Sequence, residues 1–328
     1  MCKYIVLDLE WNQNPEGNKG CVRDLNFEII EIGAVKLDAD FNLIDRFHQI
    51  VSPLVYRNIH HKIYEITHFN INDLKRQGEI FPEACKKFLD WCYASESDES
   101  SIFFCTWGEM DLNELQKNMN YYHMESVFSY PLLYYDVQKL FYLLYCRGER
   151  DRPPLDRAVS MLGIKTERSF HNALNDVLYT AEILRRIDFS SVKEYLSLDY
   201  YHIPKCREEE IYLIFPDYSK YVSRAFPSKE EALADKTVSD MLCHKCRRML
   251  KKKIRWFCVN QKNYYCLASC PEHGFVKGKI RMKSRAGQGF FAVKTMKIIA
   301  AGAAEDIKKK KEDTRRKRSK RNKDKSNY

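Results

Sequence analysis

The sequence predicts an α/β layered domain over residues 1–200, followed by a connector over 201–240 and a small metal-binding domain over 241–300. A basic tail over 301–328 is expected to be disordered or at most a solvated helix. Three observations carry this reading. Strand-like runs lead the chain and then alternate with helical patterns, the order that builds a layered sheet. Five cysteines, Cys243, Cys246, Cys258, Cys266 and Cys270, crowd into 28 residues. Charge divides the same way: residues 241–328 hold 27 Lys or Arg against 6 Asp or Glu, a net of +21, which leaves −11 for residues 1–240.

Residues 3–10, 28–37 and 41–51 are rich in β-branched and aromatic side chains, and the short "ADFN" between the last two suits a hairpin. "FPEACKKFLDWC" (81–92) repeats apolar residues at helical spacing. "SIFFCTW" (101–107) is a short apolar run that fills a buried strand, and "EMDLNELQKNMNYY" (109–122) is helical. "PLLYYDV" (131–137) is a strand running into the helix "VQKLFYLLY". "PPLDRAVSMLG" (153–163) opens on Pro and ends on Gly, as a short helix does. Residues 170–187 form an amphipathic helix. Within the connector, Ser228 with Glu231 three residues on makes a capping pattern. Residues 278–298 read as a hairpin.

No apolar run approaches the ~18 residues of a membrane span, and "MCKYIVLDLEW" lacks the layout of a signal peptide. Cys2, Cys21, Cys85, Cys92, Cys105, Cys146 and Cys206 are scattered, mostly among apolar neighbours, which fits buried thiols in a reducing compartment. The expectation is a soluble cytoplasmic protein with no membrane partner. An acidic body with a strongly basic end suggests an anionic polymer, nucleic acid, as partner.

The stretch "YIVLDLEWNQ" (4–13) places two acids at the end of the most strand-like run. Residues two apart on a strand share a face, so Asp8 and Glu10 point the same way. Two partly buried, unpaired carboxylates cost roughly several kcal/mol each. A divalent cation offsets that cost. Further along, Asp111 opens a helix after a buried strand, His171 stands at the start of a helix, and Asp176 follows a turn and a half later. Sites of open α/β sheets form at the carboxyl ends of strands.

These residues resemble a known family. "LDLEW" resembles D-x-E, "TWGEMD" resembles W-G-x-x-D and "HNALND" resembles H-x-A-x-x-D. Together they are similar to the three motifs of the DEDDh 3′–5′ exonucleases of the ribonuclease H-like superfamily. In form they are nearest to Eri-type exoribonucleases and the sporulation inhibitor KapD. "EIIEIGAVKLD" resembles the family's second strand, and the likeness covers about residues 1–190. The resemblance implies a ribonuclease H-like mixed sheet flanked by helices. It also implies two Mg²⁺ or Mn²⁺ held by Asp8, Glu10, Asp111 and Asp176, with Asp8 bridging both and His171 as general base. The implied substrate is a single-stranded 3′ end, RNA favoured over DNA, and the product a nucleoside 5′-monophosphate. Trp11, Trp107 and Phe170 adjoin the acids and could stack a terminal base; core packing is the alternative. Thr67 matches the family's Thr-Gly-Ile segment, where His68 replaces the glycine. The competing functions are a DNA proofreading or repair exonuclease and a non-catalytic nucleic-acid-binding regulator. The mark of the last would be a missing acid, and none is missing.

"CHKC" (243–246) and "CPEH" (270–273) are separated by 23 residues. C-x₂-C and C-x₂-H joined by a hairpin predict a zinc ribbon with one structural Zn²⁺ on Cys243, Cys246, Cys270 and His273. Cys258 and Cys266 lie inside strand-like runs and read as small core residues, and His244 is a competing ligand. "RRMLKKKIRWF" and "KGKIRMKSR" put a basic face opposite an apolar one, either to grip nucleic acid or to dock on the acidic domain.

Overall fold

Strand β1 (Lys3–Gln13) carries Ile5, Val6 and Leu7, each fully buried, so its side chains are covered on both faces. Such a strand lies inside a sheet between two layers. The computed structural model describes residues 3–22, 24–93, 102–285 and 287–326. Cys2 and Ser101, the first residue of the strand expected over 101–107, lie outside the described residues. The chain divides into two compact units, Met1–His202 and Ile203–Tyr328.

In the first unit β2 (Phe27–Leu37) and β3 (Leu43–Ser52) extend β1 as antiparallel neighbours, and β4 (Glu79–Ile80) runs parallel to β3. On the other side β5 (Ile102–Thr106) and β6 (Leu133–Asp136) are parallel to β1, and β7 (Ser197–Leu198) closes the edge antiparallel to β6. The order β4-β3-β2-β1-β5-β6-β7 is a mixed sheet, as the sequence resemblance implies. Two short helices, α1 (His61–Thr67) and α2 (Ile71–Gln77), fill a stretch whose sequence gave no helical expectation. Asn70 caps α2 by accepting from Asp73 N–H at 2.9 Å. His68 ends α1 with φ 57°, the left-handed conformation a glycine adopts freely.

The remaining helices of this unit are α3 (Phe81–Tyr93), α4 (Asp111–Tyr121), α5 (Val137–Tyr145), α6 (Leu155–Met161) and α7 (Ala173–Arg186). Ile5, Leu7 and Leu9 share one core with Phe88 of α3 and Leu112 and Leu115 of α4. Asn118 of α4 ties that layer to β2, accepting from Ile29 N–H at 3.2 Å and donating to Phe27 O at 3.0 Å. Helix α7 packs on β1 and β2, against the face that carries Asp8 and its register partner Gly33. A Cβ at Gly33 would sit 2.3 Å from the Ala173 carbonyl carbon, so only glycine lets the helix come this close.

The second unit runs through the stretches expected as connector, metal-binding domain and tail. Residues of the connector supply β8 (Ile211–Ile214) and β9 (Tyr218–Val222), and β9 pairs with a distant strand of a six-stranded antiparallel sheet. The others are β10 (Lys251–Asn260), β11 (Asn263–Cys270), β12 (Gly274–Arg285) and β13 (Gly289–Ile299), in the order β10-β11-β12-β13-β9-β8. Helices α8 (Lys229–Ala234) and α9 (Lys236–Ser239) cover one face, where Phe226, Ala232 and Val238 meet Ile280, Met282 and Ala292. Ser228 Oγ accepts from Glu231 N–H at 3.1 Å, as the capping pattern predicts. The tail, expected to be disordered or a solvated helix, is helical as α10 (Ala301–Ser326). Its first turns bury Ala304 and Ile307 against Ile254 and Leu267, which anchors an otherwise polar helix. Among the described residues no helix is long and apolar enough to cross a membrane.

Gly33→Val should destabilise the chain by roughly 1–3 kcal/mol, the usual cost of overpacking, read as a lower midpoint in urea. An unchanged midpoint would show that α7 does not need this approach.

Candidate active site

The acids meet where β1 leaves the sheet core. A register shift falls between Glu10 and Trp11, so the pairing with β2 is interrupted just after the last acid and resumes at Trp11. Asp111 is the first residue of α4, and its Oδ1 accepts from Leu9 N–H at 3.2 Å, which pins the helix start to the strand between the two acids. Asp176 lies in the first turn of α7. Its Oδ2 accepts from His171 N–H at 3.1 Å, while Oδ1 is buried without a partner. His171 has φ 63° and an exposed side chain, and the helix begins only at Ala173, capped by Asn172. His171 thus stands in the turn before the helix rather than in the helix expected from Phe170 onward. Ligand atoms of Glu10, His171 and Asp176 all lie within 4.8 Å of one another.

A fifth carboxylate, Glu31, holds this arrangement together. It sits opposite Glu10 in the β1–β2 register and is fully buried. Its Oε1 accepts from His48 Nε2 at 2.6 Å and Asn172 Nδ2 at 2.7 Å, and its Oε2 accepts from Ala173 N–H at 3.1 Å. The helix start is therefore bonded directly to the sheet beside the acids.

Burial and like charge favour the protonated form of these groups. Burial, then Asp111, Glu10, Asp176 and Glu31, push the Asp8 carboxyl well above its ordinary range. Burial and the charges of Glu31, Asp176 and Asp111 raise Glu10 to about 8. Burial raises Asp111 to about 7 against the hydrogen bond from Leu9, and Asp176 to about 7 against the one from His171.

The sequence pattern of a family described as exonuclease (RNase_T) matches residues 5–184, more than half of the chain and the span that holds all five motif residues. The chain belongs to the exonuclease family. Similar solved structures include a cell-death related nuclease 4, at 18% identity over 60% of this chain and 66% of that one, with a TM-score of 0.49. The chain thus spans just under two thirds of that protein. Another is the nuclease domain of 3′hExo, a DEDDh family member bound to rAMP, at 19% identity over 60% of this chain and 96% of that one, with a TM-score of 0.49. Exonuclease I from Methylocaldum szegediense aligns at 13% identity over 81% of this chain and 54% of that one, with a TM-score of 0.44. No curated protein matches.

The four residues expected to touch a terminal nucleotide are engaged within the exonuclease itself. Trp11 packs on Phe27 at 5.7 Å, and Phe170 stacks on Tyr179 at 4.8 Å. Trp107 lies 6.1 Å from Phe141, with its Nε1 buried and unpartnered. Thr67 Oγ1 donates to Ile63 O at 2.8 Å and accepts from Phe69 N–H, closing α1. Glu31 and Gly33 are the contributors that sequence reasoning missed. The signal was an acid inside an otherwise apolar strand, followed two residues later by a glycine.

In the second unit Cys243, Cys246, Cys270 and His273 place their ligand atoms within 4.8 Å of one another. Cys243 N–H donates to Arg248 O and Arg247 N–H to Cys243 O, forming a tight turn with Arg247 at φ 57°. The second pair bounds the turn between β11 and β12, where His273 Nδ1 lies 3.6 Å from Cys270 Sγ and 3.5 Å from Cys243 Sγ. Burial raises the Cys270 thiol, but hydrogen bonds from His273 and from the backbone of Glu272 and His273 outweigh it and bring the group down to about 6. Cys266 is buried and donates to Ile254 O, Cys258 donates to Asn260 O from a half-buried position, and His244 Nε2 faces Pro216 O at 3.3 Å. None of the three joins the cluster.

Without added divalent cations the folded chain binds protons on Glu10, Asp111 and Asp176 that the unfolded chain releases above pH ~4. This stability is fully present below that pH and is lost as pH passes through about 7 to 8. The melting temperature should therefore fall between about pH 5 and 8, and added Mg²⁺ should reverse the fall. Asp176→Asn should flatten the slope. A cation-free melting temperature that climbs steadily across this window would contradict the raised carboxyls.

Proposed function

We propose that this exonuclease shortens single-stranded nucleic acid from the 3′ end and releases nucleoside 5′-monophosphates, with RNA favoured over DNA. The observation that carries the reading is the meeting of Glu10, His171 and Asp176, with Asp8 and Asp111 close enough to act on them through charge and a buried Asp176 oxygen left unpartnered. The RNA preference rests on the form of "TWGEMD" alone.

The donor set fits two Mg²⁺ or Mn²⁺: the oxygens are hard ligands, one is orphaned, and all belong to carboxyls whose ionised form is disfavoured by burial and by its neighbours. Asp8, Glu10, Asp111 and Asp176 would hold them. When bound, such ions neutralise charge on the transferring phosphoryl group and orient the attacking water. His171, exposed beside Glu10 and Asp176, takes the proton from that water. Asp176 steadies the His171 backbone, and Glu31 fixes the helix start that both residues depend on.

The second unit is assigned one structural Zn²⁺ on Cys243, Cys246, Cys270 and His273, supported by the convergence of three thiols and an imidazole. A cytoplasmic setting is supported by the free thiols at Cys85, Cys92, Cys105 and Cys146.

On matched RNA and DNA oligonucleotides labelled at the 5′ end, the wild type with Mg²⁺ or Mn²⁺ should give a ladder of 3′-shortened products, stronger on RNA. Asp176→Asn should give none. His171→Asn should lower the single-turnover rate by ~10²–10⁴-fold with Mn²⁺ affinity nearly unchanged. An equal loss of Mn²⁺ binding would make His171 a ligand rather than a base.

Elemental analysis should find about one zinc per chain, as a single tetrahedral site requires. Cys243→Ser with Cys246→Ser should remove it and lower the melting temperature, since structural zinc contributes folding energy directly. Full stability of that variant would remove the structural assignment.

A further inference from the structure

Strand β12 sorts its side chains by parity. Val276, Gly278, Ile280 and Met282 belong to the core side, where Gly278 leaves room for Met241 and Trp256. The odd positions Lys277, Lys279, Arg281, Lys283 and Arg285 share the other face, an unbroken row of five basic residues. At Lys277 the face is covered by α10, where the β11 partner Leu267 is buried with Ala304 and Ile307, and from Lys279 onward the direct register partners extend it. Tyr265 and Asn263 of β11 stand opposite Lys279 and Arg281, and Lys297 and Thr295 of β13 opposite Lys277 and Lys279. Helix α10 adds Lys310, whose ammonium lies 4.4 Å from the centre of the Tyr265 ring, while that of Lys277 lies 5.5 Å from the same ring.

The row is electrostatically unfavourable as it stands. Burial lowers the pKa of Lys277, and Lys310, Lys279 and Lys297 lower it further, with Asp306 opposing them. Lys297 is paired with Asp217 at 2.5 Å, but Lys279 and Arg281 are exposed. Residues two apart on a strand repeat every ~6.6–6.8 Å, on the scale of successive phosphates in an extended single strand. A sheet face that presents cations in line at that interval is complementary to a linear polyanion rather than to a compact one.

We propose that this face binds single-stranded nucleic acid along β12, with Lys277, Lys279, Arg281 and Lys310 on neighbouring phosphates. The choice of nucleic acid among polyanions rests on the reading of the chain as an exonuclease. The face belongs to the second unit and the carboxylate centre to the first.

The test uses the full chain carrying Asp176→Asn, so that no hydrolysis is needed, and reads fluorescence anisotropy of a 5′-labelled oligouridylate across salt concentrations. Each phosphate contact on a single strand contributes roughly 0.7 to the slope of log affinity against log salt. Lys277→Gln with Lys279→Gln and Arg281→Gln should reduce that slope by about 2 and weaken binding by about tenfold or more at moderate salt. The exposed pair Lys279→Gln and Arg281→Gln, which leaves the half-buried lysine in place, should reduce it by about 1.4. A control removing three exposed bases of the edge strand, Lys251→Gln, Lys253→Gln and Arg255→Gln, should change the slope by less than half as much. An unchanged slope in the β12 variants would overturn the proposal, as would an equal change in the control or equal affinity for a duplex of the same sequence length. Because binding is read without catalysis, a failure of the nuclease reading leaves this result interpretable on its own.

Discussion

The docking of α7 onto β2 is the constraint from which the acidic centre follows. Gly33 removes the Cβ that would meet the Ala173 backbone, and Glu31 replaces the lost side-chain packing with two hydrogen bonds to the helix start. Once α7 is held there, Asp176 comes beside Glu10, and the His171 turn is fixed by its N–H bond to Asp176. None of this is favourable to the isolated chain. Carboxyls gathered in a buried place are raised in pKa because each ionised form is disfavoured by burial and by its neighbours. The stability that tolerates them comes from the apolar layer beneath, where Ile5, Leu7 and Leu9 pack against α3 and α4.

Much of the centre was legible in the sequence because local geometry placed it. Strand parity alone puts Asp8 and Glu10 on one side, and the start of a helix after a buried strand puts Asp111 at the sheet's carboxyl end. Glu31 was not legible, since an acid in a strand is usually solvent-facing, and its role depends on Asn172 and Ala173, more than 140 residues away. The packing of the aromatics was not legible for a related reason. Adjacency in sequence to an acid says nothing about orientation, and Phe170 turns onto Tyr179 while Trp11 turns onto Phe27.

The second unit shows the same division. The pairings "CHKC" and "CPEH" mark their cluster at any reading, because two short turns are enough to form each half of it. The surrounding sheet was hidden, since β8 and β9 are short and polar-flanked and gain their identity only by pairing with β13. The composition of the tail left disorder and a solvated helix open. A run of Lys, Arg, Asp and Glu reads as unstructured, yet two apolar residues three apart, Ala304 and Ile307, lie on one side of a helix and are enough to seat its start on Ile254 and Leu267.

Both units place like charges on one side of a strand, which stability alone does not explain. The difference between them is burial, and burial decides the partner. At the end of β1 the acids are desolvated, so their repulsion is strong, short-ranged and little affected by salt, and a small hard cation held at contact distance relieves it best. Along β12 the bases at Lys279 and Arg281 are exposed, so their repulsion is screened and spread over the length of the strand. An extended polyanion that releases counterions as it binds relieves that arrangement better than a single ion does. On the proposed readings, the same strand geometry suits a metal where the sheet is covered and a polymer where its cations are exposed.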